Sequence, residues 1–141
     1  MTDQRRLGVD LFNEVWRLMQ AREDDDWMLH AAHASRFHWG KAPECEPANL
    51  ARGEWQVSRV YVVLGRAEPA IWHAQRCLRH CAEAGLRDWD LAYAYEALAR
   101  AHALAGDAEA TAWKAKARAA GDEISDPEDR EHFEEDYSTL S

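Results

Sequence analysis

The segments Leu64-Gly65-Arg66-Ala67-Glu68-Pro69-Ala70 and Ala105-Gly106-Asp107-Ala108-Glu109-Ala110 echo each other, and each stands between two stretches of helical periodicity. Their glycines, Gly65 and Gly106, are 41 residues apart. Glycine supplies the left-handed backbone that ends a helix, and the small or acidic residues after it start the next one. Two helix–turn–helix units on one plan predict a stack of helical hairpins. Proteins of that architecture bind things more often than they transform them.

Seven helices follow from the pattern around these turns. Leu7, Leu11, Phe12, Val15, Trp16, Leu18 and Met19 share one broad arc over residues 5–22, with Asp10, Asn13, Glu14 and Arg17 on or beside the opposite arc. Asp24, Asp25 and Asp26 supply N-caps for a second helix over about 27–40. Pro43 and Pro47 bracket a loop, and Asn49 caps a third helix ending at Gly65. Pro69 suits the first turn of a fourth, which runs to the helix-ending Gly85. Asp88 caps the fifth and Asp107 the sixth, which Gly121 ends. Ser125-Asp126-Pro127-Glu128 starts a last helix, with proline in its first turn and glutamate three residues after serine. No stretch alternates with period two. The expected fold is all-α, one domain of antiparallel hairpins: a degenerate first hairpin over 5–41, a second over 49–84, a third over 88–121, and an acidic capping helix over 125–140.

Residues 50–120 resemble tetratricopeptide repeats, which pair antiparallel helices through small residues. Leu98-Ala99, His102 and Gly106 follow that family's first-helix pattern of leucine-small, aromatic, glycine, with histidine in the aromatic place; Val57-Ser58, Tyr61 and Gly65 follow it too. In the second helix Ala70 and Cys77 match the family's small residues, and Ala110 and Ala117 do so one residue short. The early tryptophan of the first helix is replaced by Glu54 and by Tyr95, the closing proline is absent, and the spacing exceeds the family's ~34 residues. The resemblance implies a short superhelix with a concave groove and a non-catalytic role in binding another protein.

Charge narrows the partners. Residues 122–136 hold nine acids against Arg130, so this segment carries nearly all of the net charge of −9. Nucleic-acid binding needs a net basic face and is not expected. The chain has no apolar run of membrane-spanning length and no signal-peptide core at its start, and its three cysteines are odd in number. The reading is a cytoplasmic protein with reduced thiols, without cofactor, membrane or nucleic-acid partner. Seven tryptophans, from Trp16 to Trp113, exceed what one small core easily encloses, so some are expected to line a groove or a contact between two copies in a homodimer.

The candidate partner surface lies on the second face of the third and fifth helices. At 100° per residue Arg52, Trp55, Arg59 and Val62 share a face away from the Val57–Tyr61 packing stripe, and Tyr93, Glu96, Arg100 and Ala103 occupy the matching face of the fifth helix. Arg59 and Arg100 repeat the glycine spacing, so stacking the hairpins sets them in one row with aromatic neighbours. Arginine forks suit carboxylates and aromatics give apolar anchors, which points to a protein or peptide partner with an acidic or carboxylate-ended segment. A second use of the row is to receive the acidic tail folded back on it.

Three other patterns invite chemistry. His30 and His33 lie one turn apart with His38 further along, and a metal ion would need further ligands such as Asp26 or Cys45; this is the alternative reading, a small metal-dependent helical-bundle enzyme. Histidines bordering a core are the plainer reading. Cys77 and Cys81 belong to a small-residue stripe with Ala70, Ala74 and Ala84 that suits helix packing better than redox work. Arg66 and His73 have the R-x6-H spacing seen in HEPN-type helical ribonucleases, a pattern that arises easily by chance.

Overall fold

A computed structural model describes residues 1–141 as seven α-helices without a strand. They are α1 (Asp3–Ala21), α2 (Asp25–Lys41), α3 (Pro47–Val63), α4 (Ala67–Ala84), α5 (Asp88–Ala105), α6 (Glu109–Gly121) and α7 (Pro127–Tyr137). The chain stacks as hairpins: α1 packs along α2, α3 along α4 and α5 along α6. The first helices of the three hairpins also meet, α1 on α3 and α3 on α5, while α7 lies against α5 and α6. No helix is long and apolar enough to cross a membrane.

The turns explain the stacking. Gly65, Gly85 and Gly106 have φ of 75°, 67° and 70°, the left-handed region where a Cβ would be strained. Between α1 and α2, where no glycine stands, Arg22 takes that conformation with φ 52° and its amide donates to the Leu18 carbonyl at 2.8 Å. Its guanidinium then forks onto Asp25 with two 2.9 Å bonds.

Four helix starts differ from the sequence reading: Arg87 and Ala108, rather than Asp88 and Asp107, stand at the cap positions of α5 and α6, and α3 and α7 depart as well. Helix α3 begins at Pro47, and Asn49 is its third residue rather than its cap; the Asn49 Oδ1 accepts from the Glu46 amide at 2.9 Å. Proline at the first position is the reason, since its fixed φ is already helical and its missing N–H is not needed there. At α7 the cap is Asp126, accepting from the amides of Glu128 and Asp129, so Ser125 is not the capping serine. Ser125 instead donates its amide and hydroxyl to Asp88 Oδ2, at 3.1 and 2.8 Å. The other Asp88 oxygen accepts from the Trp89 amide at 2.7 Å. One carboxylate thus ties the start of α5 to the link before α7.

Gly121 ends α6 as expected, but not through a left-handed turn. A Cβ there would overlap the Phe133 ring, so its lack of a side chain is what lets α7 approach. Phe133 is fully buried with Ala92, Tyr93, Ala117 and Ile124. The acidic segment is therefore a packed wall, further held by Arg118, which pairs with Glu134 and Asp122.

Small residues bring α3, α4 and α5 close together. Ala70, Ala74, Cys77 and Cys81 of α4 are buried, with Ala51 and Ala94 packed on the two cysteines; Ala84, the last member of the expected stripe, is exposed because α4 is ending there. Interaction with Cys81 and full burial push the Cys77 thiol well above its ordinary range, so it behaves as a small apolar group. A larger apolar cluster of Val15, Leu18, Met28, Val57 and Val60 joins the first hairpin to α3.

Candidate functional site

Side chains of α1, α3, α5 and α7, with Cys77 of α4, line a cavity of about 760 Å³. That size lies within the range of pockets that hold small ligands or the anchor groups of a partner. Phe12 and Trp16 come from α1, Ala51, Arg52, Trp55 and Arg59 from α3, Trp89, Asp90 and Tyr93 from α5, and Asp129, His132 and Asp136 from α7. The i, i+3, i+4 and i+7 spacings on α3 and α7 put each set on one face of its helix.

Six rings run around this cavity in continuous contact. Phe12 meets Trp16 edge-on at 5.8 Å, Trp16 meets Trp55 at 5.4 Å, and Trp55 meets Tyr93 edge-on at 5.3 Å. Tyr93 lies 4.5 Å from Trp89, which lies 5.6 Å from His132. Edge-to-face and tilted pairs are the favoured aromatic geometries, and they lock one ring by the next.

The polar groups are largely paired with one another. Arg52 forks onto Asp90 at 2.9 and 3.2 Å. Glu96, fully buried behind the wall, accepts from the Trp55 indole at 3.2 Å, from Arg59 at 3.2 Å and from Arg100 at 2.7 Å. Arg100 reaches α7 as well, donating to the Asp136 carbonyl at 2.9 Å and to the Thr139 hydroxyl at 2.8 Å. The Tyr93 hydroxyl donates to Asp136 at 2.6 Å; burial and that carboxylate raise its phenol far above the ordinary value, keeping it a neutral donor. Asp129 is the one carboxylate on the wall without an ion-pair partner.

Of the residues placed on the partner surface from sequence, Arg52, Trp55, Arg59 and Tyr93 line the cavity. Glu96 and Arg100 sit behind it, and together with Val62 they border a shallow crevice between α3 and α5. Arg59 and Arg100 do come together, but on the same buried carboxylate and beneath α7 rather than as a free row. The contributions of α1, and Trp89 and Asp90, were not visible from the repeat pattern, and the excess of tryptophan was the signal of Trp16 and Trp89. The contribution of α7 corresponds to the acidic tail folding back onto the arginines, with Asp136 on Arg59 and its carbonyl on Arg100.

The three histidines considered as metal ligands diverge. His30 lies exposed beside Asp26 at 3.7 Å, His33 Nε2 lies 2.9 Å from the Tyr61 hydroxyl, and His38 Nδ1 lies 2.6 Å from Gln4 Oε1. The three side chains that do lie within reach of one ion are His102, Asp107 and Glu109, and there Asp107 already accepts from the Glu109 amide at the start of α6.

A second polar cluster sits across α3 from the cavity. Buried Glu54 accepts from Arg36 at 2.8 Å and faces His73 Nδ1 at 2.7 Å and Arg76 at 3.7 Å. His73 stacks on Tyr61, and the Arg66 guanidinium lies over the other partner of that stack, the Tyr61 ring, at 5.4 Å. Burial alone would raise the Glu54 carboxyl, but the hydrogen bond and charge of His73 and the Arg36 guanidinium outweigh it and hold it below its ordinary 4.5. Burial and the neighbouring His73 charge hold His33 below its ordinary 6.5. Both folded values are depressed, so the unfolded chain takes up protons first and each contribution is lost as pH falls. Melting temperature is expected to decline from about pH 6.5 downward through His33, and again below about 4.5 through Glu54. In Glu54→Gln the lower step should shrink; a melting profile of unchanged shape would contradict the assignment.

Comparison with protein-family models, with curated proteins and with solved structures finds no match for this chain.

Proposed function

We propose that this chain is a non-catalytic interaction domain of the tetratricopeptide-like kind, and that its protein or peptide partner anchors a group in the cavity between α1, α3, α5 and α7. The observation that carries this reading is the cavity itself, walled by three tryptophans in one chain of ring contacts, Trp16 on Trp55 directly and Trp89 through Tyr93. Rigid aromatic pockets at the junction of packed elements are where interfaces concentrate binding energy. A metal-dependent enzyme is supported less, because the histidines it needs point to separate partners.

The acidic or carboxylate-ended partner suggested by the arginine row meets competition inside the protein. Glu96 and Asp136 already hold Arg59, and Arg100 is bound by Glu96 and α7. A carboxylate ligand would have to separate these pairs or rely on Arg52, itself forked onto Asp90.

Peptides enriched on the protein from a random display library test the proposal. They are expected to bind the Trp72→Ala variant like the parent chain, since Trp72 is exposed on α4 away from the cavity. Trp89→Ala, confirmed as folded by circular dichroism, should weaken them roughly 30-fold, as loss of an aromatic hot spot does. Equal binding to both variants would refute a cavity-anchored partner.

A further inference from the structure

We infer that the group this cavity takes is an organic ammonium, such as the amino-bearing side chain or terminus of a partner peptide; the inference rests on the binding role proposed above. Two features combine. The rings of Trp16, Trp55, Trp89 and Tyr93 line the cavity, and an aromatic face attracts a cation through its quadrupole, most strongly for indole. The protein already uses this attraction there, with the Arg59 guanidinium 5.4 Å from the centre of the Trp55 ring.

The fixed charges point the same way. The wall carries the two guanidiniums of Arg52 and Arg59 against the three carboxylates of Asp90, Asp129 and Asp136. Glu96 behind the wall draws on Arg59 again. Both cations are therefore held by other carboxylates, and Asp129, which is in no ion pair, adds a further negative charge on the wall near Arg52. A cationic guest meets aromatic faces and an unpaired carboxylate. An anionic guest meets the same electron-rich faces and gains only arginines that are already engaged. His132, on the α7 side of the same wall, lies 3.0 Å from the Tyr93 hydroxyl and 3.7 Å from Asp136.

Three probes of nearly the same shape separate charge from apolar burial: choline, the neutral 3,3-dimethylbutan-1-ol and the anion 3,3-dimethylbutanoate. Titrated into the full chain at constant ionic strength and followed by tryptophan fluorescence, choline is expected to bind about tenfold or more tightly than the neutral alcohol. The anion should bind most weakly. Asp129→Asn should lower choline affinity roughly threefold or more while leaving the alcohol unchanged, since only the charge is removed. Its carboxylate is in no ion pair, so the variant is expected to fold normally.

Equal affinity for choline and the alcohol overturns the inference and leaves an apolar binding cavity. Tightest binding by the anion overturns it in favour of a carboxylate-ended partner. Choline affinity that survives both Asp129→Asn and Trp89→Ala places the cation elsewhere and also overturns it. No binding by any probe overturns the ammonium inference, whereas the binding role itself falls only if the display peptides are indifferent to Trp89→Ala.

Discussion

Glu96→Ala is expected to destabilise the protein by about 3–5 kcal/mol, lowering the melting temperature by roughly 10–20 °C. Glu96 has no solvent exposure and is the shared acceptor of Arg59, Arg100 and the Trp55 indole. Removing it leaves two largely buried guanidiniums repelling each other and a part-buried indole N–H without that acceptor. That is the costly way to break a buried ion pair, because the remaining charges keep their desolvation penalty. Glu96→Gln keeps an acceptor and the shape while losing the charge, so it should lose clearly less. The Trp55 ring is held in the cavity wall by the bond that Glu96 accepts, so ligand affinity should fall alongside stability in the alanine variant. Denaturant unfolding of both variants checks this, and a Glu96→Ala loss under about 1 kcal/mol would contradict the account.

Phe133→Ala should cost about 3–5 kcal/mol as well, by a different route. The ring is fully buried between Gly121 and the Ala92, Tyr93 and Ala117 cluster, and it is the main apolar attachment of α7. Without it α7 keeps only polar attachments: Arg118–Glu134, the Arg100 contacts, and Asp136 on Tyr93 and Arg59. The loss should therefore be uneven. Hydrogen exchange should show α7 amides losing protection well before those of the three hairpins, and choline affinity should drop because Asp129, His132 and Asp136 leave the wall. Gly121→Val should reproduce the pattern from the opposite side of the contact. A uniform loss of protection across all seven helices would show that α7 is no separable wall.

Helix order, turn placement and most of the packing faces were legible because they depend on local chemistry. The glycines of the echoed turns needed a left-handed backbone, and Gly65 and Gly106 have it. Arg22 shows the limit: a left-handed residue that is not glycine leaves no mark in a pattern search. Asn49 and Ser125 show another, since either can serve a helix start from more than one position, and the choice was made by Pro47 and by the distant Asp88.

The candidate site was half legible. Helical spacing put Arg52, Trp55 and Arg59 on one face, but a period cannot report what stands opposite. Trp16 lies nearly forty residues before Trp55 and looked like part of an ordinary apolar arc; it reached the cavity only because α1 packs beside α3. Asp129, His132 and Asp136 belong to the acidic tail, whose sequence fits either a cap or a return onto the arginines; the approach of Phe133 to Gly121 is what sets their face on the cavity. Glu54, at a place where the resembled repeats carry tryptophan, became the centre of an ionic cluster that no single-helix pattern contains.

Proton–nitrogen correlation spectra of the tryptophan indoles, recorded while a display-selected peptide is titrated in, test the cavity as the binding site most directly. The indole signals of Trp16, Trp55 and Trp89 should shift and saturate together, while those of the exposed Trp27 and Trp72 stay in place. Shifts confined to Trp27 or Trp72, with the cavity indoles unmoved, would contradict it.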